Sequence, residues 1–300
     1  MADSGLILLN KKPGTTSFDA LREIKRAFGT GKVGHTGTLD KFAQGLLLVL
    51  AGKALRLAQW FTHCDKQYTG RIYFGIETDT LDPEGVPVAR SEVPSRQRVE
   101  QAIAAFNGPV MQAPPAYSAV HINGKRASAL ARSGKMPEMA ERSVFIYKLE
   151  LVNWEPPYAD IRVYCSSGTY IRSLARDIAA AAGSSAHLCS LVRTHVAGFS
   201  LKDQNTENNG FFLQKIDKNV ISSLGMPWYE ISGEEYEKIK HGKPPQPVLQ
   251  EKYLFPAVYT PPINNKEKSS CIKTAAVFYG ESLAAVVVNA EGRWKYGCVI

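Results

Sequence analysis

Cysteine is scarce in this chain and poorly placed for pairing. Five are scattered over 300 residues, at Cys64, Cys165, Cys189, Cys271 and Cys298; the number is odd and no two form a C-x-x-C pair. That argues against a disulfide framework and a zinc knuckle and fits a reducing compartment, the cytoplasm. Long apolar runs are missing too. Runs such as Leu46–Ala51 stop at six residues, far short of the roughly 20 needed to span a bilayer. The first ten residues carry no basic stretch ahead of an apolar one, and Lys11 and Lys12 follow, so they do not read as a signal peptide. With 21% charged residues and no low-complexity tract, disorder is not the expectation.

What is present supports a sizeable core. Hydrophobic residues make up 44% of the chain, enough for one large domain and a small one. Lys and Arg total 36 against 28 Asp and Glu, a formal net charge of +8. The excess is concentrated: residues 1–75 hold eleven Lys/Arg and five Asp/Glu. On charge alone, a polyanionic partner such as nucleic acid and a merely solvated basic surface are about equally compatible.

Periodicity places strands at 5–9, 46–50, 68–74, 144–154 and 160–165, and helices at 17–28, 53–61, 95–106 and 170–182. The first helix should be capped by Thr16 or Ser17, carry Phe18, Leu21, Ile24 and Phe28 on its apolar face, and stop at Gly29. The last should bury Ile171, Leu174, Ile178 and Ala181. Strands and helices alternate without a regular βαβ rhythm, so the expected class is α+β. Residues 203–228 shift toward Asn, Gln and Lys and read as a connecting segment that closes a first domain over 1–228. A short helix at 232–241 and strands at 271–278, 282–288 and 294–299 then suggest a separate small β domain over 229–300.

Candidate chemistry centres on Gly34-His-Thr-Gly-Thr-Leu-Asp40, in a loop with four glycines between Gly29 and Gly37. Such density implies unusual dihedrals or close approach to another group. The Gly-Lys-Ser/Thr ending of a Walker loop is missing, as is a dinucleotide fingerprint. Asp40 has three readings: a turn or N-cap aspartate, a metal ligand, or a nucleophilic or acid–base carboxylate. Spacing alone favours the first. Asp79 and Asp82 look like a fragment of a metal loop but suit an Asx turn better, because Glu84 ends the set too early for an EF-hand. Arg172, in the first turn of its helix, opposes the helix dipole by roughly 0.3–1 kcal/mol. It is either an exposed arginine tolerating that cost or a functional exception to the local rule.

Seven segments, in order, resemble the bacterial tRNA pseudouridine synthase B family: Lys11–Ser17, Lys32–Asp40, Lys66–Tyr68, Thr78–Gly85, Gln112–Ser118, Gly168–Arg172 and Ala186–Arg193. The resemblance covers most of residues 5–201. It implies a pseudouridine synthase fold, a mixed and mainly antiparallel sheet flanked by helices, with a small C-terminal β-rich domain of the RNA-binding PUA type, in which Ile239–Lys243 is the most suggestive stretch. It implies isomerisation of the T-loop uridine, position 55 of tRNA, on a flipped-out base, without cofactor or metal. Asp40 would be the catalytic aspartate, Arg172 its partner, and Tyr68 the residue that stacks on the base and assists removal of the C5 proton. Tyr170 and Leu191 would line the base pocket and His35 would help hold the RNA. Lys12 and Lys32, with Lys11, Lys41, Lys53 and Arg56, are candidates for phosphate contacts. Each has a plainer alternative: core packing for Tyr68 and Leu191, a loop hydrogen bond for His35, solvated surface for the cations. The expected partner is tRNA through its T-arm, with no membrane and no nucleotide cofactor, and the chain is expected to act as a monomer. The family usually has Pro after the catalytic Asp; here Lys41 stands there, and Phe42 and Gln44 are also atypical. An RNA chaperone that has lost the chemistry, or a nucleotidyltransferase using the Gly/His loop, are the competing readings.

Overall fold

The computed structural model describes residues 4–29, 31–204, 211–243 and 274–300. The chain opens with β1 (Gly5–Lys11), α1 (Ser17–Ala27), β2 (Val33–His35) and β3 (Gln44–Ala51). Next come α2 (Ala58–Thr62), β4 (Lys66–Phe74), β5 (Ile76–Thr78), β6 (Pro87–Arg90), α3 (Arg96–Ala105) and β7 (Gly108–Gln112). A small hairpin, β8 (His121–Ile122) and β9 (Lys125–Arg126), leads to α4 (Ala127–Arg132). The long β10 (Arg142–Glu155) and β11 (Tyr158–Cys165) precede α5 (Ile171–Ala181), β12 (Ala186–Val196) and β13 (Phe199–Ser200). The remainder holds α6 (Lys218–Ser223), β14 (Trp228–Glu230), α7 (Gly233–Lys240), β15 (Thr274–Tyr279), β16 (Ser282–Ala290) and β17 (Arg293–Val299).

The main sheet runs β1-β3-β12-β4-β11-β10-β7, with β2 added to β3 and β13 to β12. Every pairing in it is antiparallel except β12 with β3. This is the expected mixed, mainly antiparallel sheet of an α+β protein. In β4 the alternation of the sequence becomes a face: Tyr68, Ile72 and Phe74 are buried, while Thr69, Arg71 and Tyr73 turn the other way. Helices α1, α3 and α5 cover that buried face, setting Leu21, Ile24, Val99, Leu174 and Ile178 against Ile7, Val49, Ile72 and Ile161.

Beneath β1 and β3 lies a second core. Leu6, Leu46, Leu48 and Leu50 meet Leu57, Phe61, Val220 and Ile221, and then Ala276, Phe278, Leu283 and Val286 from a separate four-stranded sheet, β14-β15-β16-β17. Helix α7, held by a reciprocal Ser232–Glu235 capping box, lends Ile239 to that sheet's other face, against Ala275, Val277 and Val287.

Of the two candidate caps of α1, Thr16 is the one used. Several local expectations need correcting. Phe18 is 64% exposed rather than in the core. At about 100° per residue, Phe18 lies roughly a quarter-turn from the stripe of Leu21, Ile24 and Phe28, whereas Ser17 falls within it. Ala181 is exposed on α5, and Ala175 and Ala182 take the buried positions beside Ile171 and Ile178. The single helix expected over 53–61 is a 3₁₀ segment, Gly52–Leu57, followed by the short α2. The described part of 203–228 is more than a connection: Gln214 exchanges two 2.8 Å backbone hydrogen bonds with Leu6, and α6 buries Val220 and Ile221. Cys271, Thr30 and residues 205–210 lie outside the described residues.

Candidate active site

Asp40 lies between β2 and β3, in a loop fastened from three sides. The Ser17 hydroxyl accepts the Leu39 N–H at 2.9 Å and donates to the Leu39 carbonyl at 3.0 Å, so the start of α1 is tied to the residue before Asp40. Arg193, 2% exposed on β12, donates through Nε to the Leu46 carbonyl at 2.7 Å and through Nη2 to the Gly37 carbonyl at 3.0 Å. Gly45 has φ +108°, and a Cβ there would lie 2.4 Å from the Arg193 carbonyl oxygen, so only glycine lets the two strands meet. Within the glycine-rich loop itself, of the described glycines only Gly29 has a positive φ; Gly34 is instead packed close to Leu55. The third fastening is Lys11. Its ammonium is buried and donates to the carbonyls of Thr15 (2.7 Å), Lys12 (3.1 Å) and Lys41 (3.4 Å), and burial lowers its pKa to about 8. That use rules out Lys11 as a phosphate contact.

Facing the loop, α5 presents Arg172. It is 4% exposed, not a surface residue, and stands between two carboxylates. Nη2 donates to Asp40 Oδ1 at 3.0 Å, and Nε lies 2.9 Å from Asp40 Oδ2. Nη1 donates to Asp82 Oδ2 at 3.2 Å and to the Thr80 carbonyl at 2.8 Å, and Nη2 also reaches the Tyr117 carbonyl at 3.1 Å. A planar guanidinium satisfying four acceptors at once is well suited to fixing carboxylate orientation. Asp82 is buried on its far side. Its Oδ1 accepts from the Thr80 hydroxyl at 2.6 Å and the Glu84 N–H at 3.0 Å, yet burial still raises its pKa. The Asx turn is therefore real but incomplete as a description, because the other carboxylate oxygen belongs to the Arg172 site. Asp40 keeps 35% of its side chain open.

Tyr68 stands on β4 in register with Arg193 on β12 and Val163 on β11. It is 8% exposed, and burial pushes its phenol up to about 12, so it is protonated at neutral pH. Leu191 is buried beside Gly70 in the same core. Tyr170 is the N-cap of α5; its N–H donates to Gln112 Oε1 at 2.8 Å, and the Arg142 guanidinium sits 4.8 Å over its ring. His35 is half-buried on β2, and its buried Nδ1 has no hydrogen-bond partner within the protein. Burial and, after it, the charge of Arg193 lower its pKa, which keeps the ring neutral. Lys12 and Lys32 are exposed on the segments that flank the loop. Among the described residues, no three His, Cys, Asp or Glu side chains converge as metal ligands. The arrangement offers one oriented, partly open carboxylate within electrostatic reach of a neutral phenol.

Residues 25–171 match the family described as TruB family pseudouridylate synthase, N-terminal domain. The chain is 42% identical over 210 residues to tRNA pseudouridine synthase B of Borreliella burgdorferi, covering 69% of this chain and 74% of the relative. It is 40% identical over 247 residues to the protein of the same name from Symbiobacterium thermophilum, covering 80% and 83%. This chain belongs to the TruB family of pseudouridylate synthases. A crystal structure of a Cbf5-Nop10-Gar1 complex shares the fold, with a TM-score of 0.65 at 24% identity over 95% of this chain and 78% of that one. An archaeal box H/ACA Nop10-Cbf5 structure matches at 0.64 and 19%, over 99% and 85%.

Within this TruB-family chain, the residues singled out from the sequence fall into two groups. Asp40, Arg172, Tyr68, Leu191, Tyr170 and His35 lie on elements that meet around one loop, whereas Lys12 and Lys32 are on its margin. Two supporting residues, Arg193 and Gln112, are not distinguished by the sequence, and a third, Asp82, reads there only as an Asx-turn residue. Each stands inside one of the seven family-like segments, and a charged residue embedded in an apolar strand pattern, as Arg193 is in β12, is the available signal. No helix of the described residues is long and apolar enough to cross a membrane.

Proposed function

We propose that this TruB-family synthase converts the T-loop uridine at position 55 of tRNA to pseudouridine, with Asp40 as the catalytic carboxylate. The observation that carries the reading is the Asp40–Arg172–Asp82 arrangement. A carboxylate open on one side is held from the other by a buried guanidinium, itself fixed by a second carboxylate and two carbonyls. The name of these relatives, tRNA pseudouridine synthase B, supports tRNA as the substrate.

In the reaction, the bond from ribose C1′ to uracil N1 breaks, the base turns, and C1′ bonds to C5. The C5 proton leaves and N1 regains one, so the product is an isomer. Typical glycosidases pair two carboxyl groups because a leaving group departs and water enters. Here the base stays bound and no water is consumed, so one carboxylate that attacks or stabilises the reacting centre suffices. Arg172 orients that carboxylate. Tyr68 supplies a ring against which the flipped base stacks and assists removal of the C5 proton; Tyr170 and Leu191 complete the pocket. Extruding the base costs a few kcal/mol, offset by those contacts, by His35 and by phosphate contacts from Lys12 and Lys32.

The test uses unmodified tRNA transcript carrying tritium at uridine C5. The wild-type chain is expected to release tritium, and Asp40→Asn to release none while still binding the RNA. Turnover retained in Asp40→Asn would sink the assignment. RNA binding by the wild type without release would favour a chaperone on the same fold.

A further inference from the structure

Lys41 immediately follows Asp40, and its ammonium lies 3.2 Å from Glu84 Oε1. Its backbone is already fixed: the carbonyl accepts the Gly14 N–H at 2.8 Å and the Lys11 ammonium at 3.4 Å. Its side chain reaches across to the turn that carries Asp82. Glu84 belongs to that turn rigidly, because its own N–H donates to Asp82 Oδ1 at 3.0 Å. Two chain segments, one bearing Asp40 and the other Asp82, are therefore joined twice. Arg172 joins them on the inside, where it is 4% exposed; Lys41 and Glu84 join them at the rim, where they are 53% and 44% exposed.

From this geometry we infer that Lys41 and Glu84 form a positioning clasp, which holds the Asp40 segment at a set distance from the Asp82 turn and so sharpens the aim of the Asp40 carboxylate. The inference rests on the reading of Asp40 given above. Proline at position 41 would limit the segment through its fixed φ; a lysine cannot, and the clasp supplies a restraint by a different route. An exposed pair in isolation is worth only about 0.2–1 kcal/mol, which corresponds to about 1.4- to fivefold in a rate constant. The upper part of that range, about two- to fivefold and located in kcat, is what the clasp predicts.

The experiment measures kcat from tritium release at saturating tRNA transcript, together with RNA affinity, for Lys41→Gln, Glu84→Gln, their double variant, and the exchange Lys41→Glu with Glu84→Lys. Each single variant is expected to lose about two- to fivefold in kcat with Kd within twofold of wild type. The double variant should lose no more than either single one, and the exchange should have a higher kcat than both single variants. Lys41→Pro should make Glu84→Gln silent. The proposal is overturned if Lys41→Gln weakens RNA binding while kcat stands, and Glu84→Gln tightens it; Lys41 would then be a phosphate contact that Glu84 masks. Unchanged kcat in both single variants, or losses that simply add, would overturn it as well. An inactive wild type removes the Asp40 reading itself, whereas an active wild type indifferent to these changes removes the clasp alone.

Discussion

Replacing Arg172 by methionine removes the cation between two carboxylates. Asp82 then loses its ionic partner while remaining buried; Asp40 partly faces water and suffers less. Breaking a buried pair by deleting one member typically costs about 3–5 kcal/mol, because the surviving charge is left uncompensated. Here the Thr80 hydroxyl and the Glu84 N–H still serve Asp82 Oδ1, so the lower end, about 3 kcal/mol, is expected. At roughly 2–4 °C per kcal/mol for a chain of this size, the midpoint should fall by on the order of 6–12 °C. Adding Asp82→Asn removes the orphaned charge and should recover at least 1 kcal/mol, a coupling that distant, independent sites do not show. Turnover should fall about 100-fold or more, the usual consequence of a reacting group about 1 Å out of place. Arg172→Lys keeps the charge but offers three donors to four acceptors, so it should keep much of the stability and little of the rate. Thermal unfolding by circular dichroism and single-turnover tritium release read the two effects separately. A lysine variant with kcat within twofold of wild type would refute the view that the guanidinium aims Asp40.

Two further predictions concern the scaffold. Phe278, fully buried in the core shared with Leu46, Leu48 and Leu50, should cost about 3–5 kcal/mol when changed to alanine, and urea unfolding should remain one transition followed alike by Trp228 beside it and by far-UV signal. A variant that unfolds its C-terminal sheet first, in a separate step, would contradict a shared core. Lys11 is pushed down by burial to about 8 from an ordinary 10.5. Between those values the native chain has released a proton that the unfolded chain still holds, so wild-type stability gains with rising pH. The excess of wild-type over Lys11→Met unfolding free energy should therefore grow from pH 8 to 10.5, and a flat difference would show that the ammonium is not penalised by burial.

Much of this fold is legible because local chemistry and tertiary packing agree. The alternation of residues 68–74 becomes the two faces of β4, and Ser95 and Ser232 cap the helices they precede. Legibility fails where a residue serves two masters. Asp82 makes the local Asx contact that spacing predicts, and its second oxygen goes to an arginine 90 positions away, which no local rule can see. Ser17 reads as a cap, yet its hydroxyl belongs to Leu39, and the helical stripe turns at that point away from Phe18. Lys11 and Lys12 are indistinguishable as letters; of the three backbone carbonyls that gather round Lys11, two belong to Lys12 and Thr15 and the third to Lys41 in the loop after Asp40, so only the folded chain separates a structural ammonium from an exposed one.

The core under β1 and β3 also has a consequence for how the protein is made. Leu6 shares that core with Val286, 280 positions later in the chain, and its backbone is paired in the interval by Gln214. During synthesis at about 5–20 residues per second, the apolar underside of the sheet that carries the Asp40 loop stays uncovered for on the order of tens of seconds. The nascent chain must therefore carry an open hydrophobic surface until β15 and β16 arrive, which makes it a client for holding factors and makes truncations that remove them more damaging than their distance from Asp40 suggests.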